Sequence, residues 1–166
     1  MMKRPILVVV LMTAVLLWPL MLSARVDIGA TPQFSVTTLD GEELESEMLR
    51  GKVVLVDFWA TWCNPCIESF PFYSDLATEH ADDLVIIAVS LDPDKDIILE
   101  FLRDREVAFD VVWQKAFTAA RQFGPQTFPT SYLIDRRGVV RYVHLGFDDE
   151  TREETEAQIE ELIRER

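Results

Sequence analysis

Val53-Val54-Leu55-Val56-Asp57-Phe58-Trp59-Ala60-Thr61-Trp62-Cys63-Asn64-Pro65-Cys66 is the stretch on which the reading of this chain turns. Its first seven residues are short, apolar and rich in β-branched side chains, the pattern of a buried strand, with Asp57 the one exception. Residues 67–79 are mostly helix-forming, with apolar positions about a turn apart. The two cysteines, the only ones among 166 residues, therefore lie where a strand hands over to a helix. At a helix N-terminus the unpaired N–H groups and the positive end of the dipole favour an anion. A thiolate is such an anion, so the thiol pKa there falls. Pro65 suits the first helical turn, where its missing N–H costs nothing.

Three uses of a Cys-x-x-Cys pair are open. A zinc site wants about four ligands, and the chain offers no further cysteine, only His80 and His144 in unrelated segments. An inert structural disulfide across so short a loop stabilises little. A redox dithiol, which needs only the pair and the helix end, is the preferred reading; no metal is expected, and the disulfide Cys63–Cys66 stands in place of a cofactor.

The remainder of the chain gives this pair a setting. The length suits one domain with a substantial core. A net charge of −13 argues against a nucleic-acid partner and fits either a solubility device or a preference for basic partners. Met1-Met2-Lys3-Arg4 is a short basic head, followed by 17 residues, 6–22, without a charge. As a helix they would reach about 25 Å, near the lower limit for crossing a bilayer. Leu22-Ser23-Ala24 is a poor cleavage site, so an uncleaved anchor is favoured over a removed signal peptide. The expected division is residues 1–24 as basic head and transmembrane anchor and 25–166 as an exported domain, with the head cytoplasmic. In an oxidising compartment two adjacent thiols drift to the disulfide. A pair kept there is an oxidant, or a reductant recharged from elsewhere.

Along the exported part, 32–39 alternates like a strand, Asp40-Gly41 signals a turn, and 42–44 can return as a second strand, an N-terminal β-hairpin extension. One helical turn is expected at 46–49, and a kink at Pro71. Residues 84–90 form a continuous apolar run, a strand buried on both faces. A helix over about 95–105, a short strand at 109–113 and a short helix at 117–123 follow. Strands at 130–134 and 139–145 flank the hairpin turn Asp135-Arg136-Arg137-Gly138. A helix at 151–166 closes the chain, with Ile159, Leu162 and Ile163 facing inward. This order gives an α/β fold, a central mixed sheet flanked by helices.

Together these features resemble the thioredoxin superfamily, and within it the membrane-anchored thiol–disulfide oxidoreductases of the TlpA/ResA/DsbE (CcmG) type. Residues 54–66 carry the likeness, with Phe128-Pro129-Thr130-Ser131-Tyr132-Leu133-Ile134-Asp135, Gly138-Val139-Val140-Arg141-Tyr142, Gly29-Ala30-Thr31-Pro32-Gln33-Phe34 and Leu39-Asp40-Gly41. The resemblance implies a thioredoxin-like fold over nearly all of residues 29–166. It also implies that Pro129 is cis and faces the cysteines, and that the backbone of Phe128 pairs with an incoming peptide strand. It further implies a redox donor such as a membrane thiol carrier of the DsbD/CcdA type, and exported clients such as an apocytochrome c. The setting would be a bacterial inner membrane, crossed once, with the catalytic domain on the periplasmic side.

Two departures from the family pattern stand out. Asp57 stands where many relatives have asparagine; as a buried acid it would have a raised pKa and could exchange protons with Cys66. Ser69 stands where many have glutamate, and Glu68, about 100° round the helix, reads as a solvated residue. Trp62 is a candidate cover for the disulfide and guide for partners. Trp59 reads as core, His80 as a helix-end residue, His144 as structural, and the acidic terminal helix as a solvated face.

The expected chemistry is thiol–disulfide exchange. The Cys63 thiolate attacks a partner disulfide, Cys66 resolves the mixed disulfide, and Asp57 accepts the Cys66 proton. Two alternatives are open: a peroxiredoxin-like peroxidase, against which the Cys-x-x-Cys spacing argues, and a non-catalytic chaperone using the same fold.

Overall fold

β3 (Val53–Trp59) runs through the middle of a five-stranded sheet ordered β5-β4-β3-β6-β7 in a computed structural model that describes residues 26–113 and 118–165. β4 (Leu84–Ser90) lies parallel to it and β5 (Asp110–Trp113) parallel to β4. On the other side β6 (Thr130–Ile134) pairs antiparallel with β3, and β7 (Val140–Leu145) antiparallel with β6. The sheet is therefore mixed. Every residue of β3 is buried, as a central strand covered on both faces requires.

Alternation along β3 sorts its side chains between two cores. Val54, Val56 and Phe58 pack with Ile87, Val89, Tyr132, Ile134 and Phe123. Phe123 ends α3 (Thr118–Phe123), and Val36 and Leu44 reach the same core from β1 (Ser35–Thr37) and β2 (Glu43–Glu45), which pair antiparallel. Val53 and Leu55 face the opposite side. They meet Phe72, Tyr73 and Leu76 of α1 (Asn64–Glu79) and Ile159 and Leu162 of α4 (Asp149–Arg164). Trp59, at the same face, packs with Phe70, Cys66 and Ile98 of α2 (Lys95–Leu102).

Several boundaries differ from the sequence reading for local reasons. α2 stops at Leu102 because 103–106, Arg-Asp-Arg-Glu, is exposed and offers nothing to bury. α4 begins two residues early because Asp148 caps it, its Oδ1 accepting from Thr151 N at 2.8 Å. α1 runs through Pro71 as one helix; Pro71 is exposed, on the side where the missing donor is least costly. The turn after β6 is held by Asp135, whose Oδ1 accepts from Arg137 N and Val139 N at 2.9 and 3.0 Å. The proposed anchor, residues 1–24, lies outside the described residues. Among those described, no helix is long and apolar enough to cross a membrane.

Candidate active site

β3 ends at Trp59, and the loop 60–63 delivers Cys63 to the N-cap of α1. No side chain caps this end and no acidic residue occupies its first turn. The first-turn amides are thus left free to act on Cys63, and no fixed carboxylate competes with a thiolate there. Cys66 lies one turn on, and the two are joined by a disulfide, with Cα atoms 5.3 Å apart. Cys63 is 6% exposed and Cys66 0%. The outer sulfur is the one a partner can reach.

The loop that carries Cys63 is fastened from behind. Asp92, just past β4, is buried, and its carboxylate accepts from Thr61 N at 2.9 Å, Thr61 Oγ1 at 2.8 Å and Ser90 Oγ at 2.9 Å. Trp113 Nε1 donates to the Asp92 carbonyl at 3.0 Å. In the sequence, Asp92-Pro93-Asp94 reads only as a helix opening, and nothing there signals that the Asp92 side chain holds the active-site loop.

Trp62 stands outward, 66% exposed, with its ring edge-on to Phe128 at 5.8 Å between centroids. Phe128 is half-buried and packs against the cluster that holds both cysteines. The Phe128–Pro129 bond is cis and Pro129 is buried. Cys63, Cys66, Trp62 and Phe128 are thereby gathered at one end of the sheet, where β3 finishes and β6 starts.

Asp57 is 0% exposed, on the face of β3 that α1 covers. Tyr73 Oη donates to its Oδ1 at 3.4 Å. Oδ2 has no hydrogen-bond partner among the described residues. Burial pushes the carboxyl up to about 7, with the Tyr73 hydrogen bond pulling weakly the other way. Ser69 is buried and donates through Oγ to the Cys66 carbonyl at 2.8 Å, whereas Glu68 is exposed. Trp59 is core. His80 is the C-cap of α1, its N–H bonded to Leu76 O. Among the described residues, no group of three or more His, Cys, Asp or Glu side chains is placed to hold a metal ion.

A family model described as AhpC/TSA matches residues 29–143. The chain belongs to the AhpC/TSA family. Among its relatives, the thiol-disulfide oxidoreductase ResA of Bacillus thuringiensis subsp. konkukian is 32% identical over 142 residues, covering 84% of this chain and 79% of the relative. The thioredoxin-like protein YneN of Bacillus subtilis is 34% identical over 118 residues, 69% of each chain. A solved structure of a candidate thiol:disulfide interchange protein DsbE from Chlorobium tepidum superposes with a TM-score of 0.78 at 33% identity. That match covers 84% of this chain and 99% of the other. With a bonded Cys-x-x-Cys pair at the head of α1, this family member is a thioredoxin-like thiol–disulfide oxidoreductase.

Proposed function

We propose that the protein is a reductant of exported protein disulfides, tethered to the bacterial inner membrane by residues 1–24 with residues 25–166 on the extracytoplasmic side. One observation carries the exchange chemistry: an outer cysteine at an uncapped helix end, bonded to an inner cysteine sealed from solvent. In the reduced protein the Cys63 thiolate attacks the partner disulfide and expels one partner thiolate. Asp57 takes the proton of Cys66. The Cys66 thiolate then attacks Cys63 Sγ, and the second partner thiolate leaves, so two electrons pass from the pair to the client. Trp62, Phe128 and Pro129 bind the client segment, with the Phe128 backbone pairing to it as an added strand.

The basic head and the uncharged stretch 6–22 support the tether. The likeness to ResA and DsbE supports reduction of an apocytochrome c as the task, within cytochrome c maturation. It also supports recharging by a membrane thiol carrier of the DsbD/CcdA type. Two experiments test this. Cys66→Ser in cells traps a mixed disulfide between Cys63 and the client, and Cys63→Ser abolishes exchange; recovery of no adduct would contradict the reading. The reduction potential of the pair is expected at roughly −270 mV or lower, and a value near −120 mV would make the protein an oxidant.

A further inference from the structure

Polar side chains run in a line across a sheet face made mostly of apolar ones. The register sets Asp57 of β3 opposite Ser131 of β6, and Ser131 opposite His144 of β7. Paired residues project to the same face, so these three stand in one row beneath α1 and α4, all buried. Tyr73 of α1 stands over the first gap: its Oη donates to Asp57 Oδ1 at 3.4 Å, and the Ser131 and Ser69 hydroxyls beside it lower its pKa against the effect of burial. Ser131 Oγ is 3.4 Å from His144 Nδ1. Thr155 Oγ1 is equally near that nitrogen but donates to Thr151 O at 2.7 Å, leaving Nδ1 to Ser131. The other ring nitrogen, Nε2, lies 2.9 Å from Oε1 of half-buried Gln158 on α4. Each link is a hydroxyl or an imidazole, groups that both donate and accept.

We propose that Tyr73, Ser131 and His144 are the route by which Asp57 exchanges its proton with solvent, and that His144 releases it beside Gln158. The proposal rests on the reading of Asp57 as the base for Cys66. That reading leaves a need: both groups are sealed from water, so Asp57 can come to equilibrium with the solvent pH between oxidation and recharging only through a path of protonatable groups. The transfers balance. Asp57 gives its proton to Tyr73 Oη as Tyr73 passes its own to Ser131 Oγ and Ser131 passes its own to His144 Nδ1. The imidazolium then loses the Nε2 proton to water. One proton enters the row and one leaves; rotation of the two hydroxyls and return of the imidazole to its Nε2–H tautomer reset it. Transfer across 3.4 Å requires tightening by about 0.7 Å, close to the thermal displacement of an ordered atom.

The surroundings favour a histidine that takes up a proton and quickly lets it go. Burial holds its pKa below the ordinary value, while Gln158 and Glu154 of α4 pull it back up. Around the row stand Tyr73 and Ser69 from α1, Asp57 from β3, and Glu154, Thr155 and Gln158 from α4; β4 contributes only Ala88 opposite Asp57.

The test is the steady-state rate at which the full chain, recharged by excess dithiol, reduces a peptide disulfide, followed from pH 5 to 9 in dilute buffer. Tyr73→Phe, Ser131→Ala and His144→Ala are compared with the unaltered protein, with thermal unfolding checking that each is folded. The expected result is a loss of about tenfold or more in each variant and a displaced pH profile. In His144→Ala the rate returns in proportion to added neutral imidazole. Asp57→Asn separates the two levels: if it leaves the profile unmoved, the role of Asp57 itself fails. If it moves the profile while Tyr73→Phe and Ser131→Ala do not, the route is overturned and Asp57 stands. Should either hydroxyl variant fail to fold, the other decides alone, and absence of imidazole rescue in a folded His144→Ala removes His144.

Discussion

A single carboxyl at the back of the site ties folding to chemistry. Asp57 is pushed up to about 7 from an ordinary 3.8 by burial. Between these values the native state binds more protons than the unfolded chain, so stability falls as pH rises from about 4 to about 7 and levels off above. A shift of this size corresponds to about 4 kcal/mol. Asp57→Asn keeps an acceptor for Tyr73 and removes the buried charge. The oxidised variant is therefore expected to be more stable than the parent by up to about 4 kcal/mol at pH 8 and nearly equal to it at pH 4. Denaturant unfolding at the two pH values checks this, and a difference independent of pH would contradict it. Under the proposed role of Asp57 as acceptor for the Cys66 proton, the same variant is expected to resolve mixed disulfides more slowly.

At the scale of elements, the strand–loop–helix unit holds the cysteines only because other elements brace it. Asp92→Ala would leave Thr61 N–H, the Thr61 hydroxyl and the Ser90 hydroxyl without their acceptor. The expected loss is about 2–4 kcal/mol, read by denaturant unfolding, with Asp92→Asn losing less. Leu55, fully buried between α1 and α4, gives the matching control for the core: Leu55→Ala is expected to cost about 2–5 kcal/mol without altering how the cysteines titrate. The strands at 53–59 and 84–90 were legible because nearly unbroken apolar runs with β-branched residues have few other uses, and that at 130–134 because the hairpin turn 135–138 and a returning strand follow it. The site cysteines were legible because a pair beside a strand end has one dominant chemistry. The row Asp57–Ser131–His144 was not. It depends on which residue faces which across two antiparallel pairings, and register is a property of the folded sheet rather than of any one strand. His144 accordingly read as structural and Ser131 as an ordinary strand residue, while Asp92 was hidden in a helix-opening signal.

Over the whole molecule, 29 acidic residues against 16 basic ones leave a net negative charge, which we propose favours basic clients over acidic ones. The exchange rate with a basic peptide disulfide is therefore expected to fall as ionic strength rises from about 0.01 M to about 0.15 M, where screening shortens from about 30 Å to about 8 Å. An acidic peptide of equal length should show the opposite trend; equal salt dependence for both would remove the charge from recognition. Charge of this kind sets encounter, and the helix end sets reactivity. The most direct test of the latter is the alkylation rate of each cysteine in the reduced protein as a function of pH. The prediction is a midpoint for Cys63 at about 7 or below, with Cys66 unreactive until well above it. A midpoint for Cys63 at about 8.5, that of free cysteine, would contradict it.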